Sequence, residues 1–201
     1  LNVSHTIFAV VLAAGQSTRF GGSKLTQTLD GQPLIRYALA AAQAVLPGNV
    51  VLVTGYDAHS VTESSQGLAD VVVFNPDYAS GQGSSLAVGS RACCDDADAI
   101  VVMLADQPLV DADTLGRVVG AWNGDARQIV VSDYGDATGP PALFGKAGFE
   151  QLGELTGDSG AKDIIRSGPF NVVKVDIGPR GTDVDTPQDL SAADQVLSSE
   201  K

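Results

Sequence analysis

The chain has 201 residues, 44% of them hydrophobic, with a formal net charge of −12. That acidity argues against nucleic acid or an anionic membrane as a partner, and no apolar run approaches the ~20 residues of a membrane helix. Cys93 and Cys94 are adjacent, so they form no disulfide framework and read as reduced thiols. No basic segment followed by an apolar one opens the chain, and the expectation is a cytoplasmic protein.

The first predicted element is a β-branched, apolar strand from Thr6 to Leu12. It runs into Ala13-Ala14-Gly15-Gln16-Ser17-Thr18-Arg19-Phe20-Gly21-Gly22-Ser23-Lys24. Glycine there permits positive φ and lets main-chain N–H groups approach a ligand. Successive N–H groups make an anion-binding concavity. Arg19 and Lys24 add full positive charge, a combination suited to a polyphosphate. The loop matches neither the Walker A pattern nor G-x-G-x-x-G.

Pro33 is placed in the first turn of a helix through Leu46, which Pro47-Gly48 ends. A strand at Asn49–Thr54 turns at Gly55-Tyr56-Asp57 towards a weak helix near Ala58–Leu68. Val71–Phe74 is a strand, Gly83–Cys94 a helix, and Ile100–Leu104 a further strand ending at Ala105-Asp106-Gln107-Pro108. A helix near Asp111–Trp122 and a strand at Ile129–Ser132 follow. The run Gly139–Phe144 is expected to lead into a short helix, and Gly157–Lys162 to open another. Val172–Val175 is a strand, and Thr186 with Asp189 caps a terminal helix. This alternation predicts a Rossmann-like α/β fold in one domain over residues 1–201: a mostly parallel sheet between two helix layers. His5 and His59 are too few and too isolated for a zinc site or a triad.

Ligands of open α/β sheets bind beyond the carboxyl ends of the strands. The stretches Ala13–Lys24, Gly55–Asp57, Asn75–Ser85 and Ala105–Pro108 all lie at such ends. Asp106, facing a phosphate loop, would repel the ligand unless a cation stood between them, and Mg²⁺ fits that place. A simple turn cap by Asp106 is the other reading, and the residues alone leave both open. Gly83, Ser84 and Ser85 suit a base edge at a helix start, or Ser84 caps that helix.

The run L-A-A-G-x-S-x-R-x-G-x-x-K, from Leu12 to Lys24, resembles the signature of sugar-nucleotide-type nucleotidyltransferases. It is most similar to the MobA-like branch, which includes the molybdenum cofactor cytidylyltransferases. Leu104-Ala105-Asp106-Gln107-Pro108 resembles that family's metal-binding Asp motif. Asn75–Leu86 resembles its base- and acceptor-bordering segment, Gly157–Lys162 its acceptor-proximal stretch around Asp158 and Gly160, and Asp183–Pro187 its D-[IV]-D-T-P motif. Lys162 stands where many members carry Arg, a point charge in place of a bidentate fork.

The resemblance implies a nucleotide-diphospho-sugar-transferase fold and an Mg²⁺-dependent transfer of CMP from CTP to a phosphorylated pterin-type acceptor, molybdopterin carrying molybdenum in the type case. Arg19, Lys24 and Asp106 would carry the chemistry. Leu12, Ala13, Ala14, Gly15, Ser17, Gly55, Gly83, Ser84 and Ser85 would join them in holding the nucleotide. Asp106 and Asp185 would face the metal, although Asp185 also reads as favourable charge at a helix start. A molybdoenzyme receiving the product would be the protein partner. Ala14 favours CTP, because GTP-using members resemble L-[AG]-G-G at this point. A guanylyltransferase, a nicotinamide-dependent oxidoreductase and a non-catalytic cofactor carrier are the competing expectations.

Overall fold

The computed structural model describes residues 5–157 and 159–199, with Ser167 described by its backbone alone. The strands are β1 (Ile7–Ala13), β2 (Thr28–Leu29), β3 (Gln32–Pro33), β4 (Val50–Thr54), β5 (Val71–Phe74), β6 (Ala99–Leu104), β7 (Gln128–Asp133), β8 (Thr138–Gly145) and β9 (Asn171–Asp176). The helices are α1 (Ile35–Val45), α2 (Ala58–Ser64), α3 (Gln82–Arg91), α4 (Ala112–Gly120), α5 (Phe149–Gly153), α6 (Ala161–Ser167) and α7 (Pro187–Ser199). Seven strands form one sheet in the order β5-β4-β1-β6-β8-β7-β9, and β2 and β3 form a separate two-stranded ribbon.

β1 lies at the centre because it is apolar on both faces. Ala9, Val10 and Val11 are fully buried, as a strand covered on both sides must be. Ala9, Val11 and Ala13 face the layer that holds Leu39 of α1, Leu115 of α4 and Ala193 of α7. Val10 and Leu12 face Leu86 of α3, Leu152 of α5 and Ile164 of α6. The period-two alternation of a strand thus feeds two cores, and each fully buried Leu or Ile adds about 1.5–3 kcal/mol.

The chain leaves β1 outward to β4 and β5, then crosses back to β6 on the other side of β1. β1 pairs in parallel with both β4 and β6, and Leu12 lies level with Leu104. The strand order therefore reverses at the carboxyl ends of β1 and β6, where a crevice must open.

Two expectations are corrected. Residues 139–144 do not simply precede a helix: they belong to β8, which runs antiparallel between β6 and β7. Pro140 and Pro141 lack N–H groups and argue against a central strand. The sheet accommodates them at a register shift between Val131 and Ser132, where the buried Ser132 hydroxyl donates to Pro141 O at 2.7 Å. Pro33 is the second correction. It pairs with Thr28 in the β2–β3 ribbon, and the helix opens only at Ile35. Elsewhere the strands and helices lie within a few residues of their expected places, Asp111 capping α4 through Thr114 N–H at 2.8 Å. Among the described residues no helix is long and apolar enough to cross a membrane.

Candidate functional site

The loop after β1 is shaped from both ends. Tyr56 N–H donates to Ala14 O at 3.1 Å at its start. Near its end, the Asp57 carboxylate is held below the usual carboxylate range by hydrogen bonds from Ser60 and Ser23. Within the loop, Phe20 N–H donates to Ser17 O at 3.0 Å. Ser17 and Gly21 take φ of 51° and 80°. Positive φ in a non-glycine residue is a feature of ligand-holding loops.

Lys24 opens a single 3-10 turn directly after the loop and is buried there. Its ammonium donates to Asp106 Oδ2 at 2.7 Å and to Asp185 Oδ1 at 3.1 Å. Arg19 reaches the other oxygen, Asp185 Oδ2, at 2.9 Å while remaining largely exposed. Burial alone would lower the Lys24 pKa, but the charges and hydrogen bonds of Asp106 and Asp185 outweigh it and raise the pKa above the usual lysine range. Neither carboxylate is a cap. Helix α7 is capped by the reciprocal pair Thr186 and Asp189: Asp189 N–H donates to Thr186 Oγ1 at 3.3 Å, and Asp189 Oδ2 accepts from Thr186 N–H at 2.8 Å and from Asp185 N–H at 3.1 Å.

A third carboxylate, Asp183, which the sequence motifs contain without marking it as a site residue, lies beside them. Its Oδ1 accepts from the buried Gln107 Nε2 at 2.8 Å, and Gln107 also donates to Gly181 O at 2.8 Å. Burial and the neighbouring Asp106 charge push the Asp183 pKa up. Tyr134 completes the cluster, with its hydroxyl on Pro140 O and beside Gln107 Nε2. The D-Q-P and D-V-D-T-P runs contain both residues, but only a side-chain contact 76 positions apart shows that Gln107 exists to hold Asp183.

The crevice has two connected parts. A cleft of about 230 Å³ is bounded by Leu12, Ala13, Gly15, Ser17, Arg19 and Lys24 with the two aspartates. A wider cleft of about 430 Å³ shares Leu12, Gly15, Arg19, Asp106 and Asp185, and adds Ala14, Gln16, Tyr78, Ser85 and Asp183. A groove of about 340 Å³ continues past Gln82 and Leu104 to Pro140, Gly160 and Lys162. Asp158 lies outside the described residues.

Three expected nucleotide-binding residues stand behind the cleft wall. Gly83 N–H is donated to Gly157 O at 2.9 Å, and a Cβ there would lie 2.5 Å from Ser159 O. Ser84 is the third residue of α3, so it caps nothing. Its hydroxyl donates to Gly81 O at 2.8 Å and accepts from Asn75 Nδ2 at 2.8 Å. Gly55 is buried against the wall: a Cβ would lie 2.5 Å from Tyr78 Cβ and 2.8 Å from Ala14 Cβ. The two glycines let neighbouring chain segments approach closely, while Ser84 and Ser85 both accept from Asn75 Nδ2.

Among the described residues no three or more His, Cys, Asp or Glu groups gather into a metal cage. Asp106 and Asp185 nevertheless offer oxygens around one point. That donor set fits Mg²⁺, which binds through one or two carboxylates, keeps waters and takes phosphate oxygens.

Residues 9–172 match the model of the MobA-like NTP transferase domain. The chain belongs to that family. It is 29% identical over 207 residues to the purine catabolism protein PucB of Bacillus subtilis strain 168, covering 97% of this chain and 99% of that one. Against the bifunctional protein GlmU of Clavibacter sepedonicus the identity is 32% over 196 residues, covering 90% of this chain but only 40% of GlmU. The crystal structure of Rv0371c from Mycobacterium tuberculosis H37Rv superposes with a TM-score of 0.80 at 30% identity, over 96% of this chain and 99% of that one. As a MobA-like NTP transferase, the protein is a nucleotidyltransferase, and the family takes a nucleoside triphosphate and a phosphorylated acceptor. That membership replaces the hydride-transfer expectation.

Proposed function

We propose that this MobA-like transferase moves CMP from CTP to the terminal phosphate of a phosphorylated pterin-type acceptor, molybdopterin carrying molybdenum, with Mg²⁺ as its cation. The observation that carries the reading is the buried Lys24 ammonium, 2.7 Å from Asp106 and 3.1 Å from Asp185 at the switch point of the sheet. A cation pair beside two carboxylates can take up a triphosphate and a divalent metal together. The Rv0371c relative also has a structure in complex with manganese, at 30% identity, which supports a divalent cation here.

In this mechanism an acceptor phosphate oxygen attacks the α-phosphorus, the bond to the α–β bridging oxygen breaks, and pyrophosphate leaves. The nucleophile is already ionised near neutral pH, so the protein needs no strong general base. Its residues supply position and charge. Arg19 and Lys24 hold the β- and γ-phosphates and then the departing pyrophosphate. Asp106 and Asp185 would hold the cation, which when bound would polarise the α-phosphate. Ala14 and Tyr78 line the wall where the base rests. The Ala14 side chain, wedged against Gly55, narrows that wall in favour of a one-ring base.

The deciding measurement is pyrophosphate release with each nucleoside triphosphate in the presence of the molybdenum-loaded pterin. Release with CTP above the other three is expected. Preference for GTP would make the protein a guanylyltransferase, and no release with any nucleotide would remove the reading.

A further inference from the structure

Gln107 is 2% exposed and has no part in the chemistry proposed above. Its Nε2 donates to Gly181 O and to Asp183 Oδ1, each at 2.8 Å, across 74 and 76 positions of sequence. Its Oε1 is buried and has no hydrogen-bond partner among the described residues. A buried acceptor without a donor costs stability, and a leucine would fill a similar volume without that cost. What the amide supplies at this place is the pair of bonds from Nε2.

Those bonds grip the chain between β9 and α7 just ahead of Asp185. Gly178–Gly181 is a single 3-10 turn, and residues 182–186 belong to no helix or strand. Such a segment takes its place from its contacts alone. The Tyr134 ring packs on Gly181, where any Cβ would strike it, and Gln107 holds the Gly181 carbonyl. Gln107 then holds Asp183, and the Asp106 carbonyl accepts Val184 N–H at 2.9 Å. Beyond these ties, Asp189 takes the N–H of Asp185.

Resting on the reading of Asp106 and Asp185 as the cation-holding pair, we propose that Gln107 is a positioning residue for Asp185. It pegs residues 181–183 to the end of β6, and Asp183 receives the peg without itself binding the cation or the nucleotide. The two cation-holding residues depend on this peg unequally. Asp106 is placed by the sheet, since Ala105 N–H still bonds to Leu12 O of β1 at 3.1 Å. Asp185 has no such support, and without Gln107 only the Val184 bond would join its segment to Asp106. Mg²⁺ demands near-octahedral geometry, so a carboxylate that wanders is a poor ligand. Removing a group that orients a metal-facing residue costs about 10- to 100-fold in metal affinity or activity.

The test compares Gln107→Leu, Asp183→Ala and Asp183→Asn with wild type. Gln107→Leu removes both bonds. Asp183→Ala removes one of them from its other end, at an exposed position, and serves if Gln107→Leu does not fold. In both, the Mg²⁺ concentration for half-maximal pyrophosphate release should rise by about tenfold. Mn²⁺ binding in the presence of CTP without acceptor, read by electron paramagnetic resonance, should weaken by about as much. The KM for CTP at saturating Mg²⁺ should stay unchanged. Asp183→Asn keeps an oxygen to accept from Gln107 and should retain the wild-type Mg²⁺ requirement. A merely structural role would lower melting temperatures and leave that requirement where it was. An unchanged requirement in Gln107→Leu or, should that variant not fold, in Asp183→Ala would overturn the proposal. Equal impairment of Asp183→Asn and Asp183→Ala would also overturn it, because the lost charge and not the lost tie would then be the cause. If wild type releases pyrophosphate from no nucleotide, the nucleotidyltransferase reading fails, and amide hydrogen exchange decides on the peg alone. Val184 N–H should exchange faster in Gln107→Leu and Asp183→Ala than in wild type, and equal exchange would overturn the peg.

Discussion

The main-chain carbonyl of Asp106 accepts the N–H of Val184 at 2.9 Å. This bond fastens the segment before α7 to the end of β6, two stretches that neither share a sheet pairing nor lie near one another in the chain. The residues on either side of Val184 then diverge, as neighbours in extended backbone do. Asp185 meets Lys24, and Asp183 meets Gln107. The carboxylates of the site are thus placed by one main-chain contact.

Asp106→Asn should lower kcat/KM by about 100-fold or more while leaving the fold intact, because it removes a charge that acts on the reacting phosphates. Its side chain lies in the crevice and carries no cap or core contact, so the melting temperature should change by only a few degrees. Asp185→Asn should be milder, since Asp106 keeps its place beside Lys24. Steady-state kinetics together with thermal melting decide the matter. Normal turnover in Asp106→Asn would return that residue to a structural role.

Ala14→Gly should weaken the preference for CTP over GTP by about 1–3 kcal/mol, the range expected for one methyl group in a pocket wall. It should not reverse the preference, because Tyr78 and Ser85 still line the cleft. The measurement is kcat/KM for both nucleotides with the same acceptor. An unchanged ratio would show that the Ala14 methyl does not touch the base.

Gly55→Ala probes the wall from behind. The added methyl would sit 2.5 Å from Tyr78 Cβ and 2.8 Å from Ala14 Cβ, and one of the two must give way. Overpacking of this kind costs about 1–3 kcal/mol, or about 2–12 °C in melting temperature for a chain of this size. Nucleotide KM should rise as well, because Ala14 and Tyr78, the residues that would shift, line the cleft. A variant with wild-type stability and wild-type KM would show that the wall is compliant.

The two thiols should differ in reactivity despite being neighbours. Burial pushes Cys93 up to about 12, whereas Cys94 is partly exposed. At pH 8 a thiol reagent should label Cys94 in the native protein and reach Cys93 only after unfolding. Because the folded state holds the Cys93 proton more tightly than the unfolded chain, its contribution to stability is complete below about pH 9 and is lost as the pH rises towards about 12. Lys24, also raised, loses its contribution in the same direction, above its ordinary 10.5. Rapid native labelling of Cys93, or a melting temperature flat between pH 9 and 11, would contradict this.

Much of the molecule was legible from local sequence because local sequence controls it. The apolar run of β1, with both of its faces buried, could only be a central strand. Strand and helix alternated around it, so the polar stretches at the strand ends had to share one edge of the sheet. Arg19, Lys24 and Asp106 were visible as candidate site residues because an acidic chain places cations in a glycine-rich loop opposite a strand-end carboxylate. What escaped the sequence depended on contacts between distant segments. Pro140 and Pro141 argued against a central strand until Ser132 and the register shift beside it provided for them. Gly55 and Gly83 looked like ligand-facing glycines, yet their bare Cα atoms face Tyr78, Ala14 and Ser159. Gln107 and Asp183 could be identified as a pair only in three dimensions. The pairing of Lys24 with Asp106 and Asp185 is of the same kind: charge says that a cation and two carboxylates belong in one site, but only packing brings the ammonium between them.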